Sequence, residues 1–362
     1  MFNINNQMKL SAIKIKTNLD DYMTSELVRV SGVSKPKLFN TINDILKLSR
    51  VINPSDFAPK VSFSLFSNSD LQLLSHACRV NVSQMDANKS YENNYEDAVF
   101  GQYAACYMNW QLTKRIYSFN DLILAELLTT NMNLEIPANV ILQLPDYSIY
   151  VNCPIESDTM ACGGFYATLT NNITFSGEVI PCVEFIWTIV QTNKNPECHS
   201  MVIELDENRT LSAALESIFE KAKDYKQRNN TDDSNLHCIK TEISTFNFKL
   251  LSVFINCLLY LCQPEVDYKG GQPKCYVRNR VKLGMKIEPA KKITNVIVGE
   301  AAGKQLREAR VVAEREFKEG KRKSPHLRRG HFHHYWILDA DNEGQAKLIV
   351  KWLNPIMVNG TI

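Results

Sequence analysis

The longest apolar stretch of the chain runs from Leu250 to Cys262 and contains a single amide, Asn256. A helix that is hydrophobic on every side has to be buried inside a domain. The stretch is much shorter than the ~20 residues that a helix needs to cross a bilayer. We therefore predict a buried helix from Ile243 to Cys262, ended by Pro264, and no membrane partner.

The composition is that of a globular protein with a sizeable core. The chain has 362 residues, of which 44% are hydrophobic and 22% are charged. These values exclude a fully disordered chain, and the 14 Gly and 13 Pro exclude a collagen-like one. Two or three domains are expected at this length.

The net charge of +2 conceals a strong asymmetry. Residues 266–330 carry 18 Lys and Arg against 7 Asp and Glu, so the rest of the chain holds 23 basic and 32 acidic residues. A basic segment on an acidic body is typical of a contact with a polyanion, most often nucleic acid. A solvated helix face that pairs with the acidic body explains the pattern equally well.

Cysteine usage predicts a reduced environment. The ten cysteines include no C-x-x-C pair, and Met1 to Lys16 has no secretory pattern. We therefore expect a reduced cytoplasmic protein, without disulfides.

Hydrophobic periodicity predicts an α+β fold that begins with helices and ends with a β-hairpin. Further helices are predicted at Asp97–Arg115, Asn120–Thr129, Thr210–Tyr225 and Glu300–Gly320. Strands are predicted at Val140–Leu142, Ser148–Val151, Gly164–Leu169, Cys182–Gln191 and Met201–Leu205. The hairpin pairs Phe332–Leu338 with Leu348–Leu353 across the turn residues Asp339–Gly344.

These patterns predict four regions along the chain. They are a helical region 1–59, a second helical region 60–138, an α/β body 139–265, and a basic segment with the C-terminal hairpin, 266–362.

The first region contains a candidate helix-turn-helix from Met23 to Asn43, which resembles that of lactose-repressor-type regulators. Gly32 would take the left-handed turn position, and Lys35, Lys37 and Asn40 would face a DNA major groove. A plain helical hairpin has the same local pattern. A DNA-binding regulator of a mobile element is therefore an alternative function.

Four of the seven histidines fall between His326 and His334. Two histidines with Arg328 or Arg329 suit a histidine-dependent ribonuclease, a second alternative function. His326, His331 and His333 could instead ligate a metal, although no cysteine or carboxylate lies nearby in the sequence.

Binding without chemistry is the third interpretation of this cluster. Lys351 and the two arginines would contact phosphates, while Phe332, Tyr335 or Trp336 would stack on bases or peptide groups. A hairpin that packs its own histidines and aromatic rings needs no ligand at all. No nucleotide-binding or zinc-protease motif occurs in the chain, so we expect neither an enzyme nor a cofactor or metal.

The same C-terminal residues carry a resemblance to a known family. Ser324–His333, Tyr335-Trp336 and Val350–Trp352 resemble the C-terminus of the phage and plasmid anti-CRISPR family of the second type V-A anti-CRISPR protein. Leu144–Tyr147 and the stretch Leu261 to Gly270 match the same family upstream. The resemblance covers residues 142–359 in patches.

This resemblance implies a specific function. Family members block production of the type V-A CRISPR effector nuclease by engaging its nascent N-terminal peptide, and the message is lost. It implies the nascent effector polypeptide as partner, with RNA or the ribosome as a further one. The matched positions are the predicted binding residues: Asp146, Tyr268, Lys269, His326, Arg328, Arg329, His331, His333, Trp336 and Trp352.

Overall fold

The computed structural model describes most of the chain beyond residue 109. The described residues are 9–10, 110, 113–130, 135–146, 148–173, 179–191, 197–218, 236–269, 290–318, 326–328, 330–338, 346–353 and 356–358. The candidate helix-turn-helix, with Lys35, Lys37 and Asn40, lies outside them. Within the described part, no helix is long and apolar enough to cross a membrane.

An eight-stranded sheet has the order β6-β5-β4-β3-β2-β8-β7, and β1 pairs with one end of β3. Its strands are β1 (Lys9–Leu10), β2 (Arg115–Phe119), β3 (Ser148–Glu156), β4 (Met160–Ile173), β5 (Val179–Gln191), β6 (Glu197–Glu204), β7 (Tyr268–Lys269) and β8 (Thr294–Val298). Four strands follow near the C-terminus: β9 (His326–Arg328), β10 (His331–Leu338), β11 (Ala346–Leu353) and β12 (Ile356–Val358). They form two separate antiparallel pairs, β10 with β11 and β9 with β12.

Four α-helices and one 3-10 helix complete the described elements. They are α1 (Asp121–Thr129), the 3-10 helix Ala138–Gln143, α2 (211–218), α3 (Leu236–Leu261) and α4 (Glu300–Lys318). Helices and strands occur in separate runs, so the predicted α+β class is confirmed.

The contacts divide the chain into two units. One contains residues 1–117, 146–202 and 279–295, and the other contains residues 118–145, 203–278 and 296–362. The four regions expected from the sequence remain a prediction.

The first unit is built on the antiparallel strands β3, β4 and β5. Its core contains large aromatic side chains on adjacent strands, with the Phe165 and Phe185 rings 5.9 Å apart. The Tyr166 ring lies 4.8 Å from that of Tyr150 and 5.9 Å from that of Trp110. Burial of rings on a pleated surface accounts for the stability of such a sheet.

The second unit is built around α3. Its apolar stretch is buried as predicted, although the helix begins at Leu236, before the expected Ile243. Asn256 is buried within it, and its Nδ2 donates hydrogen bonds to the carbonyl oxygens of Leu127 and Thr130, at 3.0 and 3.1 Å. The one amide of the stretch therefore caps the end of α1.

Most predicted elements are confirmed. The hairpin and the helices from Asn120 and from Glu300 form where expected. The four strands predicted between Ser148 and Leu205 are also present, as β3 to β6. Asn120 is the cap of α1, since its Oδ1 accepts a hydrogen bond from the Leu122 N–H at 3.1 Å. The hairpin turn, 339–345, lies outside the described residues.

Two predictions of local structure were wrong. Val140–Leu142 belongs to the 3-10 helix rather than a strand, because a short apolar run fits both periodicities. In the helix predicted from Asp97 to Arg115, Trp110 and Thr113 are helical, but the helix ends before Arg115, which begins β2. Lys114, with φ +45°, turns the chain there, and the alternation of buried Tyr117 and Phe119 marks the strand. The short strand β8, rich in β-branched residues, was not predicted.

Candidate functional site

The hairpin of β10 and β11 contains most of the predicted binding residues that the structure describes. The strands pair from His331 opposite Leu353 to Leu338 opposite Ala346. Side chains alternate between two faces, so residues with even numbers on both strands share one face. The other face carries the odd-numbered residues of both strands.

The even-numbered face is buried at one end. Phe332 and Trp352 are directly opposite each other, are 2% and 4% exposed, and have ring centroids 4.9 Å apart. The Trp352 ring also lies 6.3 Å from that of Tyr260 on α3. A Cβ at Gly330 would overlap the Trp352 ring, so this position accepts only glycine without a shift. Trp352 is therefore part of the core of the second unit.

Two glutamine side chains tie the outer edge of β11 to this unit. Gln263 Oε1 accepts a hydrogen bond from the Trp352 N–H at 2.7 Å, and Gln263 Nε2 donates to the Tyr260 carbonyl at 2.9 Å. Gln143 Nε2 donates to the carbonyl of Leu348 at 3.0 Å. These bonds hold β11 along most of its length, which makes the hairpin a rigid platform.

On this face the β11 side chains Val350 and Leu348 stay buried, but burial on β10 ends before Trp336. Trp336, opposite Leu348, is 65% exposed, although it points the same way as Trp352. Tyr335 and Ile337, on the other face, are 39% and 42% exposed. We call Tyr335, Trp336 and Ile337 the exposed patch. Trp336 points to one face and Tyr335 and Ile337 point to the other, so this end of β10 exposes large side chains on both of its faces, which favours an interaction site.

The charge next to the exposed patch is basic. The His333 ring stacks on that of Tyr335 at 4.6 Å, and Lys351, the cross-strand neighbour of His333, is exposed. Strands β10 and β11 together contain two lysines and three histidines but no Asp or Glu. The surface therefore suits a ligand with apolar side chains and negative charge.

Tyr268 and Lys269 lie elsewhere in the second unit and make structural contacts. The Tyr268 hydroxyl donates to the Leu261 carbonyl at 3.5 Å, and Lys269 pairs with Glu300 at 2.9 Å. Between them and α4, Asp267 Oδ2 accepts a hydrogen bond from the Ala301 N–H at 2.6 Å, at the start of the helix. Burial, and to a lesser degree the charge of Asp267, raises the pKa of Tyr260. This corner holds α3, β7 and α4 together.

Asp146 belongs to the interior of the first unit. Its Oδ2 accepts a hydrogen bond from the Tyr117 hydroxyl at 2.6 Å and lies 3.4 Å from Arg115 Nε. Burial raises the pKa of this carboxyl, against the opposing effects of the Arg115 charge and the Tyr117 hydrogen bond. A fully buried carboxylate cannot touch a partner in this conformation, so Asp146 has a structural position.

The remaining predicted residues are placed only in part. His326 and Arg328 lie in β9 opposite Val358 and Ile356, and Arg329 lies outside the described residues. His331, at the buried end of β10, is half-buried. Over the described ranges, no three His, Cys, Asp or Glu side chains are grouped so that they could hold a metal ion.

Sequence reasoning missed the residues that make the platform rigid. Gln143, Gln263 and Gly330 act through contacts that are distant in sequence, and only the glycine carries any local signal. Ile337 was also missed, although the alternation of the strand implied that it shares a face with Tyr335.

Comparisons with known proteins identify the family and the fold. Protein FinQ of Escherichia coli is 24% identical over 287 residues, which cover 70% of this chain and 75% of that protein. The crystal structure of AcrVA2 matches with a TM-score of 0.58 at 17% identity, over 95% of this chain and 100% of that one, and so shares the fold. Residues 117–360 match the AcrVA2-like profile, which covers more than half of the chain. The chain therefore belongs to the AcrVA2-like family, the anti-CRISPR type V subtype A2 family.

Proposed function

We propose that this protein blocks production of the type V-A CRISPR effector nuclease by binding its nascent N-terminal peptide, with loss of the effector message. Membership of the family supports an anti-CRISPR role, evasion of host defence and contact with the CRISPR machinery in general. The nascent peptide, the message loss and a contact with RNA or the ribosome in the host cytoplasm are the finer parts of the proposal.

One observation indicates which residues would bind the peptide. The exposed patch stands on a strand whose other end is buried and whose partner strand is held by Gln143 and Gln263. An apolar surface on a rigid support loses little conformational entropy when a ligand binds. Aromatic side chains such as Tyr335 and Trp336 are the residues that most often dominate protein interfaces. The proposed function is therefore binding, not catalysis.

The other predicted functions have weaker support. The DNA-binding alternative rests on Lys35, Lys37 and Asn40, which the structure does not describe. For the ribonuclease alternative, a histidine acid and base would have to face one bound phosphate. His333 instead stacks on Tyr335 at the surface, at 4.6 Å. The His334 ring lies 6.2 Å from that of His333, but it belongs to the next residue of the strand, whose side chain points to the other face.

A reporter in cells tests the proposal. The first few dozen codons of the effector are fused to a fluorescent protein and expressed with or without this chain, while protein and message are followed. We expect both to fall, to fall equally after synonymous recoding, and to stay unchanged when a frameshift alters the peptide but hardly alters the nucleotides. Unchanged reporter levels would refute the proposed target.

A matched pair of variants connects the reporter to the exposed patch. Trp336→Ala should abolish most of the effect, because it removes the most exposed side chain of the patch. Phe248→Ala removes an aromatic side chain from α3 that is 45% exposed and distant in sequence, and it should leave the effect intact. Equal behaviour of the two variants would exclude the patch as the contact.

A further inference from the structure

The two long edges of the C-terminal hairpin differ in how their backbone groups are satisfied. The outer edge of β11 is capped, because Gln263 accepts a hydrogen bond from the Trp352 N–H and Gln143 donates one to the Leu348 carbonyl. Trp352 and Leu348 both have even numbers, so the backbone groups of the even-numbered residues of β11 point away from β10. In an antiparallel pair, directly opposed residues either exchange hydrogen bonds or both point outward, in alternation.

This alternation identifies the outward-pointing groups of β10. Phe332, His334 and Trp336 are opposite Trp352, Val350 and Leu348, so their N–H and C=O groups point away from β11. The His334 carbonyl already lies 3.0 Å from the His333 ring nitrogen Nδ1 on this side. The N–H groups of His334 and Trp336, and the Trp336 carbonyl, remain at the edge.

Within the described ranges, β10 pairs with no strand other than β11. Proteins normally protect such an edge with proline, lysine, a bulge or a very short strand. β10 has eight residues, contains neither proline nor lysine, and pairs with β11 without a register shift. The outward groups of His334 and Trp336, with Tyr335, Trp336 and Ile337 beside them, therefore form a template for another strand.

We propose that an extended segment of the partner polypeptide adds to the outer edge of β10 as a third strand of this sheet. The inference rests on the proposed function and specifies how the peptide is held. Main-chain hydrogen bonds to His334 and Trp336 would supply affinity, and side chains alternating between the two faces would supply specificity.

The surroundings specify the chemistry of the segment. Side chains on one face would lie beside Tyr335, Ile337 and His333, and those on the other face would lie beside Trp336. Since β10 and β11 carry lysine and histidine but no acid, the segment should contain apolar residues together with Asp or Glu, and few basic residues.

N-methylation of the peptide backbone tests this mode directly. Synthetic peptides that tile the first few dozen residues of the type V-A effector are screened against the full chain by fluorescence anisotropy. The tightest binder is then remade with a single N-methyl group at each position in turn, which deletes one N–H and leaves the side chains unchanged. We expect binding to weaken about tenfold or more at alternate positions, and little at those between.

The possible outcomes separate this inference from the function on which it rests. Strand addition is supported if the loss of affinity recurs at every second N-methylated position. Binding that tolerates every N-methyl group, or loses affinity without that period, overturns strand addition and leaves peptide recognition standing. If no tile binds, the proposed recognition of the nascent peptide fails, and this inference fails with it.

A pair of protein variants tests the same edge from the other side. Trp336→Ala and Trp336→Pro both remove the indole, but only proline also removes the outward N–H. Proline is tolerated at strand edges whose N–H faces solvent, so both variants should fold, as a thermal melt will check. The Trp336→Pro variant should bind the peptide about tenfold more weakly than the Trp336→Ala variant. Equal affinities for two folded variants would contradict the inference, and the N-methyl series decides it if the proline variant does not fold.

Discussion

Two tryptophans on the same face of one hairpin have opposite environments. Trp352 is 4% exposed, packs on Phe332 and Tyr260, and has its backbone N–H held by Gln263. Trp336, four residue pairs farther along the hairpin, is 65% exposed. Their residue type and strand position are alike, so the difference comes from whether the rest of the unit covers them. One ring stabilises the fold, and the other is available to a partner.

The largest expected loss of stability comes from removing Trp352, the buried tryptophan of this pair. Trp352→Ala removes a buried ring from beside Phe332 and Tyr260, which should lower the free energy of unfolding by about 3–5 kcal/mol. Urea denaturation followed by circular dichroism measures it. The control is Trp336→Ala, which should change the same quantity by less than about 0.5 kcal/mol. Similar losses for the two variants would show that the exposed ring is also part of the core.

Gly330→Ala tests how tightly the buried ring is enclosed. The new methyl group would overlap the Trp352 ring, and the displacement should cost about 1–3 kcal/mol of stability. A double-mutant cycle with Trp352→Phe gives the check, since the smaller ring leaves room for the methyl group. The cost of the alanine should then shrink, whereas an unchanged cost would place the strain elsewhere.

A half-buried histidine in the first unit extends the comparison to the effect of pH on stability. His199 stacks on Trp187 at 5.7 Å, and burial lowers its pKa from 6.5 to about 4. Between these two values the unfolded chain binds more protons than the folded one, so this contribution to stability is complete above pH 6.5 and is lost as the pH falls toward 4. We expect a change on the order of 3 kcal/mol across this window, since each tenfold change in proton affinity corresponds to about 1.4 kcal/mol.

The variant His199→Phe isolates that contribution because it keeps an aromatic ring on Trp187 but cannot take up a proton. Urea midpoints at several pH values should depend less on pH in the variant than in the parent chain. Parallel pH profiles for the two chains would show that another group is responsible.

The smallest expected effect concerns an exposed pair near α4. Lys269→Ala removes the ion pair with Glu300, and both side chains are largely exposed, so water and salt screen the attraction. The free energy of unfolding should change by less than about 1 kcal/mol, and less still in high salt. A loss as large as that of Gly330→Ala would mean that this corner is more important to the fold than its exposure indicates.

Local patterns predicted the parts of the fold that depend on local physics. The apolar stretch of α3, the cap at Asn120 and the alternation of β10 and β11 each have a signal within a few residues. The 3-10 helix at Val140 and the strand at Arg115 were mispredicted because short segments fit several periodicities. In these segments, tertiary contacts override the local preference.

The candidate site was predictable as a segment but not residue by residue. The sequence pointed to residues 324–336, yet it treated Trp336 and Trp352 alike, because period-two alternation assigns a face and says nothing of what covers it. Asp146 was grouped with the surface residues through a family motif, whereas its partners Arg115 and Tyr117 bury it. Burial depends on contacts between residues far apart in the chain.

The most direct test of the account is the affinity of the full chain for the tiled effector peptides, measured for the parent chain and for Trp336→Ala. We predict that one tile binds the parent and binds the variant at least about tenfold more weakly, while both chains unfold at the same urea concentration. Equal affinity of the two chains for that tile would contradict the assignment of the exposed patch as the contact surface.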